Sequence, residues 1–265
     1  MLPTRNYKAI IVSQDSAAPG VATITLNRPE RRNAIGPQMI NELLYVLDDA
    51  ANDTDTRVLV LTGAGKAFCG GGDMSAMTSG GDGDELAPRG DYADLLLAMT
   101  RSVRPIVAKV NGHAMGGGLG LVAASTFAIA SAEAQLGTPE VDVGLFPMMI
   151  MAVLARVMPQ RRLIEMMLLG ERISADEAAR VGLLNRAVPA TELDAAVASV
   201  TSKLLEKSPL TIKLGLEAFS AQTDLALQDA LPLLRERLAG CLATNDAREG
   251  LMAFLEKRKP NWTGT

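Results

Sequence analysis

Two clusters of glycine are the strongest sign of chemistry in this sequence. One occupies residues 116–118, and the other occupies residues 70–72 and is followed by Asp73. Glycines crowd together where a backbone approaches another group closely or adopts dihedral angles that a Cβ forbids. If both clusters follow strands, they could aim two main-chain N–H groups at one point, and such a pair stabilises a developing oxyanion. Taken singly, each cluster is explained equally well as a turn or as a tight contact between a helix and a strand.

Neither cluster has the spacing of a nucleotide-binding loop. The segment Gly63-Ala64-Gly65-Lys66 lacks the upstream glycine and the following Ser or Thr of a P-loop, and no Gly-x-Gly-x-x-Gly string occurs. The Gly-x-Ser-x-Gly nucleophile elbow is also absent. What remains is a cradle for an anion or oxyanion. Because the triplet at 116–118 opens a predicted helix, the helix dipole would add to the stabilisation of negative charge there.

Glu140 is the best candidate for an acid or base. It lies in a turn-like segment, Gly-Thr-Pro-Glu-Val-Asp at 137–142, before an apolar stretch at 143–154. A carboxylate against an apolar wall has a raised pKa, which suits proton transfer near neutrality. The local sequence alone is also compatible with a surface glutamate in a turn.

The other residue types with possible chemistry have simpler explanations. His113 is the only histidine, and without a nucleophile motif we expect it to pack or to make a supporting hydrogen bond. One His and two distant cysteines do not predict a metal site. Asp73 is placed to cap a helix at 74–77. The Met-rich run at 148–151 could line an acyl-chain pocket or form a buried core helix.

Composition narrows the class of protein. The chain has 265 residues, 48% of them hydrophobic, with 26 basic and 30 acidic residues and a formal net charge of −4. This mild acidity disfavours nucleic acid or an anionic membrane as the main partner. The sequence contains no apolar signal core at its start and no apolar span of 18 residues. We therefore expect a cytoplasmic protein in which Cys69 and Cys241 are reduced.

Hydrophobic periodicity predicts an α/β fold. Strands are expected at 21–26, 57–61, 105–110 and 127–130, and helices at 36–51, 91–102 and 119–124, with a polar loop at 79–83. This alternation is typical of parallel βαβ units. From about residue 190 only helices are expected, at 193–207, 209–219, 224–242 and 246–257. We divide the chain into a core at 1–200 and a helical region at 201–265.

Five segments together resemble the crotonase (enoyl-CoA hydratase/isomerase) family. They are residues 26–34, 62–73, 111–118, 137–140 and 246–260. The resemblance implies a spiral of ββα turns with a C-terminal helical oligomerisation region, assembled as a homo-trimer or hexamer. It also implies an acyl-CoA thioester substrate with no further cofactor. By motif position, the N–H groups of Gly72 and Gly117 would hold the thioester oxygen and Glu140 would move a proton.

The sequence departs from the family pattern where hydratases carry their first glutamate, because that position is Gly120. The resemblance further implies substrate contacts at Lys66, Gly70, Met148 and Met149, with the basic residues 257–259 as further candidates; solvated surface charge is the alternative for the basic residues. One carboxylate suffices to shift a double bond, so 3-enoyl-CoA to 2-enoyl-CoA isomerisation is favoured. Hydration of a 2-enoyl-CoA, another enolate reaction and a non-catalytic acyl-CoA-binding scaffold remain as alternatives.

Overall fold

Ten strands, arranged in two sheets, form the β-structure of the described residues. The computed structural model describes residues 2–14, 16, 18–73 and 86–265. The strands in chain order are β1 Ile10–Gln14, β2 Val21–Leu26, β3 Val58–Gly63, β4 Ala67–Cys69, β5 Ile106–Val110, β6 His113–Met115, β7 Phe127–Ser131, β8 Gln135–Gly137, β9 Arg172–Ser174 and β10 Arg186–Val188.

Ten α-helices are described in the same residues. They are α1 Pro37–Asn52, α2 Tyr92–Thr100, α3 Gly117–Ala124, α4 Met148–Leu154, α5 Gln160–Leu169, α6 Ala175–Arg180, α7 Leu193–Leu205, α8 Pro209–Gln222, α9 Leu227–Leu242 and α10 Asn245–Leu255. Short 3-10 helices cover Pro29–Arg31, Pro139–Val143 and Ala190–Glu192.

The larger sheet has the strand order β1-β2-β3-β5-β7-β10 and is covered on both faces. β1 pairs antiparallel with β2, and the other pairs are parallel. In β3 every residue is buried, and successive side chains point to opposite faces. Val58 and Val60 belong to a small apolar cluster with Val197 of α7, whereas Leu59 and Leu61 face the main core. Burial on both faces explains why β3 reads as a continuous apolar run.

The smaller sheet positions the residues with possible chemistry. Its order is β4-β6-β8-β9, in which β4, β6 and β8 run parallel and β9 is antiparallel. Three of these strands deliver the chain into the segments singled out above: β4 into 70–73, β6 into 116–118 and β8 into the 3-10 helix Pro139–Val143.

The predicted long elements are confirmed. All four predicted strands are present, and the helices predicted at 36–51, 91–102 and 119–124 correspond to α1, α2 and α3. The four C-terminal helices are α7 to α10, as expected. The predicted loop at 79–83 and the helix at 74–77 lie outside the described residues. The division between 200 and 201 falls within α7, which packs on the larger sheet, and the two-region organisation stays a prediction.

The Met-rich run is not a fully buried helix, which corrects one of the two interpretations above. It forms the start of α4, where Ile150 is buried but Met148 and Met149 are 62% and 47% exposed. None of the described helices is both long enough and apolar enough to span a bilayer.

Candidate active site

Both glycine clusters and Glu140 lie at one edge of the smaller sheet. β6 is hydrogen-bonded to β4 on one side and to β8 on the other, and all three run in the same direction. The segments that follow them therefore emerge side by side at the carboxyl ends of the strands, which is where open parallel sheets bind their ligands. The N–H of Gly116 donates to the carbonyl of Gly137 over 2.9 Å, which ties the end of β6 to the end of β8.

The two glycine clusters approach each other more closely than larger residues would allow. Gly71 has φ of +109°, and a Cβ on it would lie 3.3 Å from the carbonyl oxygen of Met115. A Cβ on Gly118 would lie 2.6 Å from the Cβ of Cys69. Close approach of backbone to backbone is thus the local reason for glycine in both clusters.

The N–H groups of Gly72 and Gly117 have no backbone acceptor among the described residues. Gly72 forms a parallel bridge with Ile35, in which Ile35 donates to Gly71 and Asp73 donates to Ile35, each over 2.8 Å. The N–H of Gly72 itself takes no part in that bridge. Gly117 is the first residue of α3, where a backbone N–H has no acceptor within its helix. Among the described residues neither N–H donates a backbone hydrogen bond.

Glu140 is a partly buried carboxylate beside the second glycine cluster. It lies in the 3-10 helix Pro139–Val143, and its Oε1 is beside Gly116. Its Oε2 is fully buried and has no hydrogen-bond partner within the described part of the chain. Burial raises the pKa of Glu140, although a backbone hydrogen bond opposes the shift. Because buried polar atoms are normally paired, an orphaned oxygen is typical of a group kept for a ligand or for proton transfer.

Gly120 faces the same region and has no space for a side chain. A Cβ at this position would lie 2.5 Å from Cγ2 of Ile150 and would collide with the hydroxyl of Tyr92. That hydroxyl donates a hydrogen bond to the carbonyl of Gly117. Where family hydratases are expected to carry a glutamate, this chain therefore holds a phenol from α2 and an isoleucine from α4.

Asn33 holds the chain that leads into the first glycine cluster. Its amide nitrogen donates to the carbonyls of Ala64, Ala67 and Phe68 over 2.9, 2.9 and 3.2 Å. Its Oδ1 accepts from the N–H of Arg28 over 3.0 Å. This fully buried side chain thereby fixes the turn between β3 and β4 and the start of the segment that ends at Gly72.

Asp73 is held by two arginines. The carboxylate is buried and accepts from Arg28 and Arg31 over 3.0 and 3.1 Å. These ion pairs attach the residue after Gly72 to the 3-10 helix Pro29–Arg31. The expected capping of residues 74–77 by Asp73 falls outside the described residues.

The remaining predicted contacts lie around this edge on the surface. Lys66 is exposed in the turn between β3 and β4, and Gly70 is exposed and donates its N–H to Arg32 over 2.7 Å. Met148 and Met149 are exposed in the first turn of α4, which packs against α3. Their contact with a substrate stays a prediction.

Two other sequence candidates have roles of their own. His113 is exposed and accepts a hydrogen bond at Nδ1 from the N–H of Gln135 over 3.0 Å, which confirms the supporting role expected for it. Arg258, within the basic residues 257–259, is paired with Glu249 and Glu256. It is therefore a poorer candidate for a phosphate contact than the sequence alone indicates.

Tyr92 and Asn33 are the residues that the sequence did not single out. Tyr92 lies within the helix predicted at 91–102, but nothing local indicated where the phenol would reach. Asn33 has φ of +56°, a left-handed conformation in which Asn is enriched. Its place inside the segment 26–34 that carried the resemblance was the available signal.

Comparisons with known proteins agree with this geometry. The model of the family described as enoyl-CoA hydratase/isomerase matches residues 16–265. The short-chain-enoyl-CoA hydratase of Clostridium acetobutylicum is 32% identical over 243 residues, which cover 90% of this chain and 92% of that protein. The mitochondrial enoyl-CoA hydratase domain-containing protein 3 of Xenopus laevis is 34% identical over 245 residues, 92% of this chain and 83% of that protein.

The fold gives the same result as the sequence. The crystal structure of an enoyl-CoA hydratase from Mycobacterium smegmatis superimposes with a TM-score of 0.88 at 32% identity, covering 96% of this chain and 99% of that one. This confirms the crotonase-like α/β fold expected from the motifs. Because the match extends through the sheets, the glycine clusters and the C-terminal helices alike, the chain belongs to the enoyl-CoA hydratase/isomerase family of enzymes.

Proposed function

We propose that this protein isomerises a 3-enoyl-CoA to a 2-enoyl-CoA, with Glu140 as the only carboxylate that moves the proton. The observation that carries the proposal is the filled space at Gly120. Tyr92 and Ile150 occupy the position from which a second glutamate would extend, while Glu140 keeps a buried oxygen that has no partner among the described residues. A single base beside two N–H groups that have no backbone acceptor in the described part of the chain is suited to enolate chemistry rather than to the activation of water by a pair.

The proposed reaction begins at the carbon next to the thioester carbonyl. Glu140 removes a proton from C2, and the electron pair of that C–H bond moves into the thioester, whose oxygen becomes an enolate held by the N–H groups of Gly72 and Gly117. Glu140 then returns the proton to C4. The C3–C4 double bond becomes single as the C2–C3 bond becomes double, so the reaction needs no other reactant.

The environment of Glu140 supports this role. A base that must release its proton within the same turnover works best when its pKa lies close to the working pH. Burial raises the pKa of Glu140 above the ordinary value of a glutamate. The positive end of the α3 dipole lies at Gly117, where the enolate oxygen would be held.

Hydration of a 2-enoyl-CoA is the second candidate. It is favoured by the relatives, since the Clostridium acetobutylicum and Mycobacterium smegmatis proteins are named enoyl-CoA hydratases. Water would have to be activated by Glu140 alone, because the phenol of Tyr92 already donates to Gly117. We expect this reaction to be slow or absent.

Two substrates distinguish the reactions. The purified protein is given a 3-enoyl-CoA and a 2-enoyl-CoA separately while the absorbance of the conjugated thioester is followed. A gain of absorbance from the 3-enoyl substrate that Glu140→Gln abolishes supports isomerisation. The control is Glu30→Gln, the same change at an exposed residue of the 3-10 helix Pro29–Arg31, which should leave the rate unchanged.

The other results of that experiment lead to other functions. Loss of absorbance from the 2-enoyl substrate, with no reaction of the 3-enoyl substrate, would replace isomerisation by hydration. Coenzyme A binding with no turnover of either thioester would indicate an acyl-CoA-binding scaffold.

We assign the coenzyme A moiety to the surface around Lys66 and Gly70, and the acyl chain to Met148 and Met149. The exposed ammonium of Lys66 is available for a phosphate, and the exposed thioethers of α4 provide an adaptable apolar wall. Lys66→Ala should raise KM several-fold without lowering kcat. Lys203→Ala on α7 is the matched control, and an equal change in KM would exclude a specific contact at Lys66.

We also infer a homo-trimer or hexamer in a reducing compartment such as the cytoplasm. Helices α8 to α10 expose large apolar side chains, including Phe219, Leu227 and Phe254 at 67%, 73% and 82% exposure, and such surfaces favour association. Cys69 and Cys241 are both free. Sedimentation in reducing buffer tests the assembly, and a single species of monomer mass would exclude it.

A further inference from the structure

Tyr92 begins helix α2, and the start of that helix is fixed by a reciprocal cap. The carboxylate of Asp91 accepts from the N–H groups of Ala93 and Asp94 over 2.8 and 3.1 Å. In return, Asp94 accepts from the N–H of Asp91 over 2.9 Å. A capping box of this kind satisfies the free donors of the first helical turn. The backbone that carries Tyr92 is therefore held in one orientation.

The phenol of Tyr92 extends from this fixed point to the start of α3. Its hydroxyl donates to the carbonyl of Gly117, and it lies 3.5 Å from where a Cβ on Gly117 would be. The same oxygen fills the space beside Gly120. A single side chain from α2 thus contacts both Gly117, whose N–H is proposed to bind the thioester oxygen, and the position where a glutamate is missing.

The hydroxyl can act only as a neutral hydrogen-bonding group. Burial raises the pKa of the Tyr92 phenol well above its usual value, with the nearby Cys69 and Glu140 as smaller contributions in the same direction. Tyr92 therefore stays protonated at physiological pH and does not compete with Glu140 as a base. Its O–H remains available for the Gly117 carbonyl throughout that range.

We propose that Tyr92 is a positioning residue that sets the direction of the Gly117 N–H by holding the Gly117 carbonyl. The N–H and the carbonyl of Gly117 lie in two successive peptide planes that meet at its Cα, where no side chain restricts rotation. A hydrogen bond that holds the carbonyl plane therefore limits how the N–H plane can turn relative to it. Oxyanion stabilisation depends strongly on the placement of its donors, because they act only if they are aligned before the charge develops. This inference rests on the proposed function, in which the Gly117 N–H binds the thioester oxygen.

The test removes one oxygen atom and follows the substrate carbonyl directly. Tyr92→Phe keeps the ring and loses the O–H. The infrared stretching frequency of the thioester carbonyl of bound butanoyl-CoA reports its hydrogen bonding, because stronger hydrogen bonds lower that frequency. We expect a lowered frequency in the unaltered protein and a partial return toward the solution value in Tyr92→Phe. We also expect kcat to fall about ten-fold, with KM changed less than about two-fold.

Tyr45→Phe is the matched control. The hydroxyl of Tyr45 also donates to a backbone carbonyl, that of Ala87 over 3.2 Å, but its ring packs against the guanidinium groups of Arg5 and Arg89. It should lose a comparable hydrogen bond without moving the carbonyl frequency. A purely structural role for Tyr92 would make the two variants alike, with similar melting temperatures and unchanged frequency and kcat, and would overturn the inference.

The same measurement separates this inference from the proposed function. If bound butanoyl-CoA shows no lowered carbonyl frequency in the unaltered protein, the oxyanion role of Gly117 is wrong and the inference fails with it. If the frequency is lowered there and is equally low in Tyr92→Phe, the oxyanion role stands and only the role of Tyr92 is wrong.

Discussion

The carboxylate of Glu140 packs directly against the bare Cα of Gly116. A Cβ on Gly116 would lie 2.7 Å from Oε1 and 3.3 Å from the carboxyl carbon. Gly116 also has φ of +49° and ψ of −123°, a conformation that residues with a Cβ rarely adopt. The glycine triplet therefore does more than present an N–H group, since its first member also makes room for the proposed base.

Replacing Gly116 by alanine should displace Glu140. We expect Gly116→Ala to lower kcat/KM by about 100-fold or more, since a general base contributes about that much when correctly placed. Steady-state kinetics with the 3-enoyl-CoA measures the effect.

Gly144→Ala is the control for backbone strain. Gly144 has φ of +75°, but a Cβ there would meet nothing within 4 Å. It should lose about 1–2 kcal/mol of stability and keep its kcat/KM. Equal losses of activity in the two variants would mean that strain, rather than contact with Glu140, is responsible.

Glu140→Gln should stabilise the protein at neutral pH while abolishing turnover. Burial raises the pKa of Glu140 in the folded state, so between its unfolded and folded pKa values the folded protein binds more protons than the unfolded chain. Stability then falls as the pH rises through that interval. The neutral amide of Gln does not have this dependence, so the variant should be more stable than the unaltered protein at pH 7 and closer to it at pH 4.

Urea unfolding at the two pH values measures the difference. The same rise in pKa places the acidic limb of the kcat/KM profile above the ordinary pKa of a glutamate, because proton removal needs the ionised form. A variant that is less stable at pH 7 than the unaltered protein would show that the Glu140 carboxylate has a stabilising partner.

The long elements could be predicted from the sequence because each contains several periods of its pattern. The β3 run of apolar residues and the spacing of Met39, Ile40, Leu43 and Leu44 in α1 are examples. The strands of the smaller sheet could not be predicted in this way. β4, β6 and β8 have three residues each, which is too short for alternation to be visible. The parallel arrangement that brings Gly72, Gly117 and Glu140 to one edge was therefore not evident from periodicity.

Some residues of the candidate site could likewise be predicted from the sequence, and others could not. The glycines and Glu140 could be chosen because their residue types and motifs carry chemical meaning in the sequence. The absence of a glutamate at Gly120 was also visible. The side chain that fills the space beside Gly120 could not be predicted, because the contact of Tyr92 with Gly117 joins α2 to α3 through the tertiary fold. A side chain that acts by reaching across helices leaves no local pattern.

Two substitutions of Asn33 should separate the contribution of its hydrogen bonds to stability from that of backbone strain. Asn33→Gly removes the hydrogen bonds to the carbonyls of Ala64, Ala67 and Phe68 but tolerates the φ of +56°. We expect it to cost about 2–4 kcal/mol, because buried carbonyls lose a donor. Asn33→Ala loses the same bonds and adds strain of about 1 kcal/mol.

Chemical denaturation of both variants gives the two contributions. Because the turn held by Asn33 leads to Gly72, both variants should also lower kcat. Equal stabilities for the two would argue that the left-handed conformation at residue 33 relaxes in the variants.

Gly120→Ala should destabilise the protein, whereas the same change at another helical glycine should stabilise it. A Cβ on Gly120 would lie 2.5 Å from Cγ2 of Ile150 and collide with the Tyr92 hydroxyl, but one on Gly215 in α8 would meet nothing within 4 Å. Overpacking costs about 1–3 kcal/mol, and alanine exceeds glycine in an open helix by about 1 kcal/mol. The melting temperature should therefore fall for Gly120→Ala and rise for Gly215→Ala.

The same obstruction should prevent a glutamate at position 120 from restoring hydration. Because the obstruction begins at the Cβ, Gly120→Glu should be at least as destabilised as Gly120→Ala and should gain no hydratase activity. Hydration of a 2-enoyl-CoA by a well-folded Gly120→Glu protein would contradict this prediction. It would show that the side chains of Tyr92 and Ile150 move aside at little cost, and that the missing glutamate alone determines the reaction.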